Sequence, residues 1–97
     1  MKCALVTGGS RGIGKAICLK LAIENKYHVL VNYQSNETAA LQTVSEIKAL
    51  NGSAEILKFD VANQEEVQKA LLNWKENNPE AIMETLVNNA GITRDGL

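Results

Sequence analysis

The 97-residue sequence is short of several things, and each shortage removes a class of protein. Two cysteines are too few for a disulfide framework. Cys3 lies in an apolar run and Cys18 in the amphipathic segment after it, so both are expected as small core residues, with a disulfide half or a reactive thiol as the alternatives. The one histidine, His28, has no second histidine, cysteine pair or carboxylate at metal-ligand spacing, and neither a ligand nor a catalytic role is expected of it. Ten Lys and Arg against eleven Asp and Glu leave a net charge of -1, with no basic cluster. Nucleic acid is therefore not an expected partner, because a phosphate backbone needs several cations together. No apolar run approaches the roughly 20 residues that cross a bilayer. Residues 1 to 7 carry no small-residue cleavage site, so the expectation is a cytoplasmic protein with no membrane partner. What is present, 45% apolar and 22% charged side chains, suits one core and a single domain over residues 1–97.

Apolar periodicity divides the chain into alternating strands and helices. Lys2 to Thr7 is nearly continuous in apolar residues, as in a parallel strand covered on both faces. Ile13, Ala16, Ile17, Leu21 and Ala22 recur at spacings of three and four, which predicts a buried stripe on a helix ending near Asn25. His28 to Tyr33 is a second strand, followed by the polar Gln34-Ser35-Asn36. A helix over Glu37 to Leu50 buries Ala40, Val44 and Ile47 and stops at Asn51-Gly52. Ala54 to Phe59 is a third strand. Asn63 with Glu66 forms a capping box that starts a helix carrying Val67, Ala70, Leu71 and Trp74. The single proline, in Asn77-Asn78-Pro79, breaks that helix, and Met83 to Val87 is a fourth strand ending on Asn88-Asn89-Ala90-Gly91. The β-α-β-α-β-α-β pattern predicts an α/β chain, half of a doubly wound parallel sheet of the Rossmann type with strand order 3-2-1-4. The fourth strand would then stand at an open edge with apolar surface uncovered.

Between the first strand and helix lies Thr7-Gly8-Gly9-Ser10-Arg11-Gly12-Ile13-Gly14. Glycines there let the main chain approach a pyrophosphate, and the following helix turns its unpaired N–H groups toward the anion. Gly9 and Gly14-Lys15 also satisfy the spacing of a nucleotide-hydrolase phosphate loop, but Ala16 stands where that loop needs a hydroxyl for Mg²⁺. An acid about 20 residues beyond the turn would bind the ribose 2′-OH of NAD. The end of the second strand reads Asn32-Tyr33-Gln34-Ser35, with no acid before Glu37. A neutral pocket tolerates a 2′-phosphate, and Arg11, the hydroxyls of Ser10 or Ser35 and the amide of Asn32 can bond it, which points to NADP(H) over NAD(H). Arg11 read simply as a solvated surface charge is the alternative.

Thr-Gly-x-x-x-Gly-x-Gly after strand one, together with Asn-Asn-Ala-Gly after strand four, resembles the short-chain dehydrogenase/reductase family. The resemblance runs over all 97 residues, about the first two fifths of a typical member. It implies that Gly8, Gly12, Ile13 and Gly14 hold the cofactor pyrophosphate and adenosine ribose, with Tyr33 beside them. It implies further that Asp60 and Val61 meet the adenine, and that Asn88, Asn89, Ala90 and Gly91 line the adenosine-to-nicotinamide side of the cleft and steady the central sheet. Asp60 also fits a plain turn residue, and Asn88 a bond to neighbouring loop backbone. The final stretch from Val87 to Leu97 is similar to that of 3-oxoacyl-[acyl-carrier-protein] reductases, and acetoacetyl-CoA reductases share it. That likeness implies an NADPH-dependent enzyme of fatty acid biosynthesis acting on an acyl-carrier-protein or CoA thioester, and a homotetrameric parent. The family's proton-donating Tyr-x-x-x-Lys is not in these residues, since Val31 and Glu37 stand four places after Tyr27 and Tyr33. The chain alone is expected to be inactive, a cofactor-binding half. A stand-alone nucleotide-binding module and an interaction protein that uses the uncovered sheet are the competing expectations.

Overall fold

A computed structural model describes residues 1–10 and 12–89. The elements follow in the order β1 (Lys2–Val6), α1 (Gly12–Ile23), β2 (His28–Tyr33), α2 (Glu37–Ala49), β3 (Ser53–Lys58), α3 (Gln64–Asn77) and β4 (Ile82–Val87). The four strands form one parallel sheet in the order β3-β2-β1-β4, as the alternation of strands and helices predicts. Parallel pairing joins Val6 of β1 to Val31 on one side and to Val87 on the other. The carboxyl ends of three strands thus stand side by side.

Alternate residues of each strand feed two cores. Val6, Val29, Val31 and Ala54 face α1 and α2, where Cys18, Ala22, Ala40, Val44 and Ile47 complete one cluster. Cys3, Leu5 and Leu30 face the other way, toward Phe59, Ala81 and Trp74 of α3. Both cysteines are buried free thiols among the core residues. Asparagines start two helices: Asn36 Oδ1 accepts the Ala39 N–H, and Asn63 Oδ1 accepts the Glu66 N–H. At the end of α2 the Gly52 and Asn51 N–H groups bond back to Ile47 and Lys48, with Asn51 itself in the left-handed conformation at φ 67°.

One expectation about α1 is corrected. Its buried residues are Gly14, Cys18 and Ala22, while Ile13, placed by periodicity at the head of the inner stripe, is 70% exposed and Ala16 lies outside as well. The spacing of four is helical as expected, but the line that faces the sheet is made of small side chains. They let α1 settle close to β1 and β2. At the opposite end of the sheet His28 is held from both sides, by Ser53 Oγ at 2.5 Å and by Glu55 Oε2 at 2.7 Å, and the Trp74 indole N–H donates to the same Glu55 oxygen. Among the described residues no helix is long and apolar enough to cross a membrane.

Candidate functional site

The main chain leaves β1 at Val6 and enters a turn whose polar groups are gripped from several elements. The Thr7 N–H donates to Val87 O of β4, and the Gly9 N–H to Asn32 O of β2. The Gly8 N–H donates to Asn32 Oδ1 at 3.1 Å, and the Gly8 carbonyl accepts Asn89 Nδ2 at 3.2 Å. Asn89 thereby ties the segment after β4 to the turn after β1. Beside it the Thr7 hydroxyl lies 3.2 Å from Asn88 Oδ1. Asn88 itself is exposed, whereas Asn89 is buried.

Two glycines define the space at this crevice. Gly12 opens α1 with φ 64°, a left-handed conformation, and a Cβ placed there would meet nothing within 4 Å. Packing therefore does not require glycine at this position; conformation and an open approach do. Gly14 is the opposite case, because its Cβ would fall 2.1 Å from Gly8 O and 2.7 Å from Asn89 Nδ2. Removing that Cβ is what lets the first turn of α1 lie against the β1 turn. The first N–H groups of a helix lack intrahelical partners, so the open side of Gly12 and the exposed Ile13 offers donors and a free approach of the kind a pyrophosphate requires.

The remaining residues assigned by sequence surround this turn in graded fashion. The Asn32 carboxamide, which the sequence reading aims at a 2′-phosphate, is committed inside the fold. Its oxygen takes the Gly8 N–H, and its Nδ2 donates to Leu57 O at 3.2 Å and Phe59 O at 3.1 Å. It couples the glycine turn to the end of β3. Asp60 and Val61 follow there directly: Asp60 Oδ1 accepts the Ala62 N–H in a turn, the Asp60 N–H donates to Glu66 Oε1, and Val61 is 42% exposed. The Tyr33 ring is buried, and its hydroxyl donates to Glu37 Oε1 at 3.2 Å; burial and that carboxylate raise the phenol above its ordinary pKa. Ser35 is exposed. Ser10 is half-buried, its carbonyl accepting the Thr43 hydroxyl. Arg11, Ala90 and Gly91 lie outside the described residues.

Sequence reasoning missed Thr43 and the linking part of Asn32. A signal for the first was present, a hydroxyl residue on the inner face of α2 between Ala40 and Ile47. The second had none, because the bonds that link Asn32 to the turn and to the end of β3 span 24 to 27 positions.

The described turn can be set beside known proteins. A family model described as short chain dehydrogenase matches residues 2–97. The 3-oxoacyl-[acyl-carrier-protein] reductase FabG of Staphylococcus aureus strain Mu50 is 46% identical over 96 residues, which make up 99% of this chain and 38% of that protein. Among solved structures, the promiscuous reductase LugOII, which catalyses keto-reduction at C1 in lugdunomycin biosynthesis, superposes with a TM-score of 0.80 at 40% identity, covering 91% of this chain and 36% of that one. The angucycline C-6 ketoreductase LanV, solved with bound NADP, gives 0.78 at 34% identity over 91% of this chain and 35% of its own. The chain thus spans a little over a third of the length of the relatives it matches. A match that runs from residue 2 to residue 97, over a sheet whose two motif-bearing strand ends are bonded to each other, places the chain in the short chain dehydrogenase family.

Proposed function

We propose that these residues form the cofactor-binding part of one Rossmann-type domain in an NADP(H)-dependent oxidoreductase that reduces a 3-oxoacyl thioester. The observation that carries the reading is the Asn89 to Gly8 bond of 3.2 Å, which joins the two family motifs into one crevice at the switch point of the sheet. The open left-handed Gly12 fits the close approach of a dinucleotide pyrophosphate. When bound, the nicotinamide supplies a hydride equivalent. The chain's own residues bind and orient: Gly12, Ile13 and Gly14 offer the start of α1 to the pyrophosphate, Asn32 and Asn89 hold Gly8 in place, and Asp60 with Val61 borders the adenine side.

Preference for NADP(H) rests on the end of β2. No acid precedes Glu37 there, and the Glu37 carboxylate is bonded by the Tyr33 hydroxyl. Ser10, Arg11 and Ser35 are the proposed partners of the 2′-phosphate. The LanV structure with NADP supports the same choice. The proton donor lies outside these residues. Tyr27 donates to Glu84 and accepts from Thr85, and Tyr33 donates to Glu37, so both phenols are engaged within the fold. The acyl thioester substrate is argued from the 46% identical S. aureus reductase. An acyl carrier protein as donor of that thioester and a tetrameric assembly come from the same relationship. The test is a fluorescence titration of the full-length protein with NADPH and NADH, followed by a reduction assay on acetoacetyl-CoA. Binding of NADPH at least tenfold tighter, with NADPH oxidation dependent on the 3-oxoacyl thioester, is the expected result. Equal or tighter NADH binding would remove the cofactor assignment, and absence of thioester-dependent oxidation would remove the substrate.

A further inference from the structure

Thr43 belongs to no motif, yet its hydroxyl reaches the glycine turn from a different element. The residue is fully buried on the inner face of α2, with Ala40, Val44 and Ile47 as its helical neighbours. A hydroxyl in such surroundings costs free energy unless it is bonded. Oγ1 lies 2.9 Å from Ser10 O and 3.3 Å from Ala39 O. The bond to Ala39, four residues back, is one that any helical threonine can make. The shorter one crosses 33 positions of sequence to the turn.

The place of that bond in the turn is informative. The Gly8 N–H and carbonyl are taken by Asn32 and Asn89, and the Gly9 N–H by Asn32 O. These partners come from β2 and from the segment after β4. The Gly9 carbonyl accepts the Cys18 thiol of α1 at 3.8 Å, and the Ser10 carbonyl beyond it takes its partner from α2. One helical turn further on, Glu46 of α2 pairs with Lys15 of α1, so the same face of α2 braces both the turn and the helix that follows it.

We infer that Thr43 is a positioning residue for the cofactor site: by holding the Ser10 carbonyl it fixes the path of the glycine turn before any ligand arrives. This rests on the reading of the turn as a dinucleotide site. A preset turn binds more tightly because less ordering is left to be done on association. Thr43 touches no cofactor atom; it acts through Ser10.

The experiment compares wild type with Thr43→Val, which keeps the volume and removes the hydroxyl, and Thr43→Ser, which keeps the hydroxyl. All three are full-length proteins assayed with NADPH, NADH and acetoacetyl-CoA. For Thr43→Val we expect KM and Kd for NADPH to rise about fivefold to tenfold while kcat at saturating NADPH stays within twofold. Thr43→Ser should return both constants to within twofold of wild type. Unchanged NADPH affinity in Thr43→Val overturns the proposal. So does a loss that Thr43→Ser fails to restore, or a fall in kcat that tracks a smaller folded fraction in a melting curve. If wild type binds neither dinucleotide, the site reading falls and this inference with it. If wild type prefers NADH, only the 2′-phosphate assignment falls, and the same variants decide the part played by Thr43 on NADH.

Discussion

The two faces of the sheet are packed to different standards. On the α1 and α2 face, Val6, Val29, Val31, Cys18, Ala40 and Ile47 are sealed from solvent, with two helices over three strands. On the α3 face one helix shields the sheet. Trp74, Phe59 and Leu30 are buried there, but beside them lies a hollow of about 190 Å³ lined by Leu5, Phe59, Val67, Leu71 and Leu86 and, toward the crevice, by Thr7, Val61 and Asn88, with Leu86 64% exposed. The difference follows the glycine turn. The sealed face carries Thr43, Cys18 and Gly14, the groups that touch the turn from below. Rigidity is concentrated beneath the turn, where a dinucleotide would need a preset main chain, while the hollow on the other face reaches the crevice at Thr7, Val61 and Asn88.

The sharpest way to break this contrast is to force α1 off the turn. Gly14→Ala places a Cβ 2.1 Å from the Gly8 carbonyl, closer than any real contact, so we expect a loss of more than about 3 kcal/mol and no measurable NADPH binding. Thermal unfolding and a cofactor titration measure both, and a variant with wild-type values would mean that α1 is not pinned to the turn. Truncation on each face comes next. Ile47→Ala, at a fully buried site, is expected to cost about 3 kcal/mol. Leu71→Ala, at the rim of the hollow, should cost about 1 kcal/mol, since its side chain is already partly exposed. Urea midpoints of the 97-residue chain give the comparison, and equal losses would erase the distinction between the faces.

An effect close in size to the Leu71 truncation is a pH dependence on the sealed face. Burial pushes the Cys18 thiol up from 9.0 to about 12. In the unfolded chain the thiol loses its proton above pH 9, while in the folded chain it keeps it until about pH 12. The unfolded state is thus the one favoured by alkali, and the stability that Cys18 contributes below pH 9 is lost as pH rises toward 12. By pH 10 the loss is about 1.4 kcal/mol, and Cys18→Ala should remove that part of the alkaline slope. Urea unfolding of both proteins at pH 8 and pH 10 checks it. Identical slopes would show that the thiol titrates freely, and that the sealed face is open to water.

How far these features were legible in the sequence depended on the range of the interaction. Strand β2 was bounded correctly at His28 and Tyr33, and the cap at Asn63, because alternation and capping act between near neighbours. The parallel order was legible from the alternation of elements alone. The buried line of α1 was misread because large apolar residues were taken to face the core. The helix must approach the turn closely, and there Gly14, Cys18 and Ala22 win over Ile13 and Ala16. In the candidate site the glycine turn and Asn88 announced themselves by motif. The linking of Asn32 to Gly8 and Phe59, and of Thr43 to Ser10, depends on which atoms the fold brings within 3 Å or so, and no local pattern encodes that.

The indole of Trp74 makes the unequal faces observable. It is the one tryptophan of these residues, nine-tenths buried on the α3 side, with its N–H bonded to Glu55 at 3.2 Å. That bond stands at the end of the sheet opposite the glycine turn, beside the His28 pairing. Its emission is an optical gauge of packing on the loosely covered side, read without a label. Reagents or substitutions that tighten that side would shift the spectrum to the blue, while changes confined to the α1 and α2 side would leave it still.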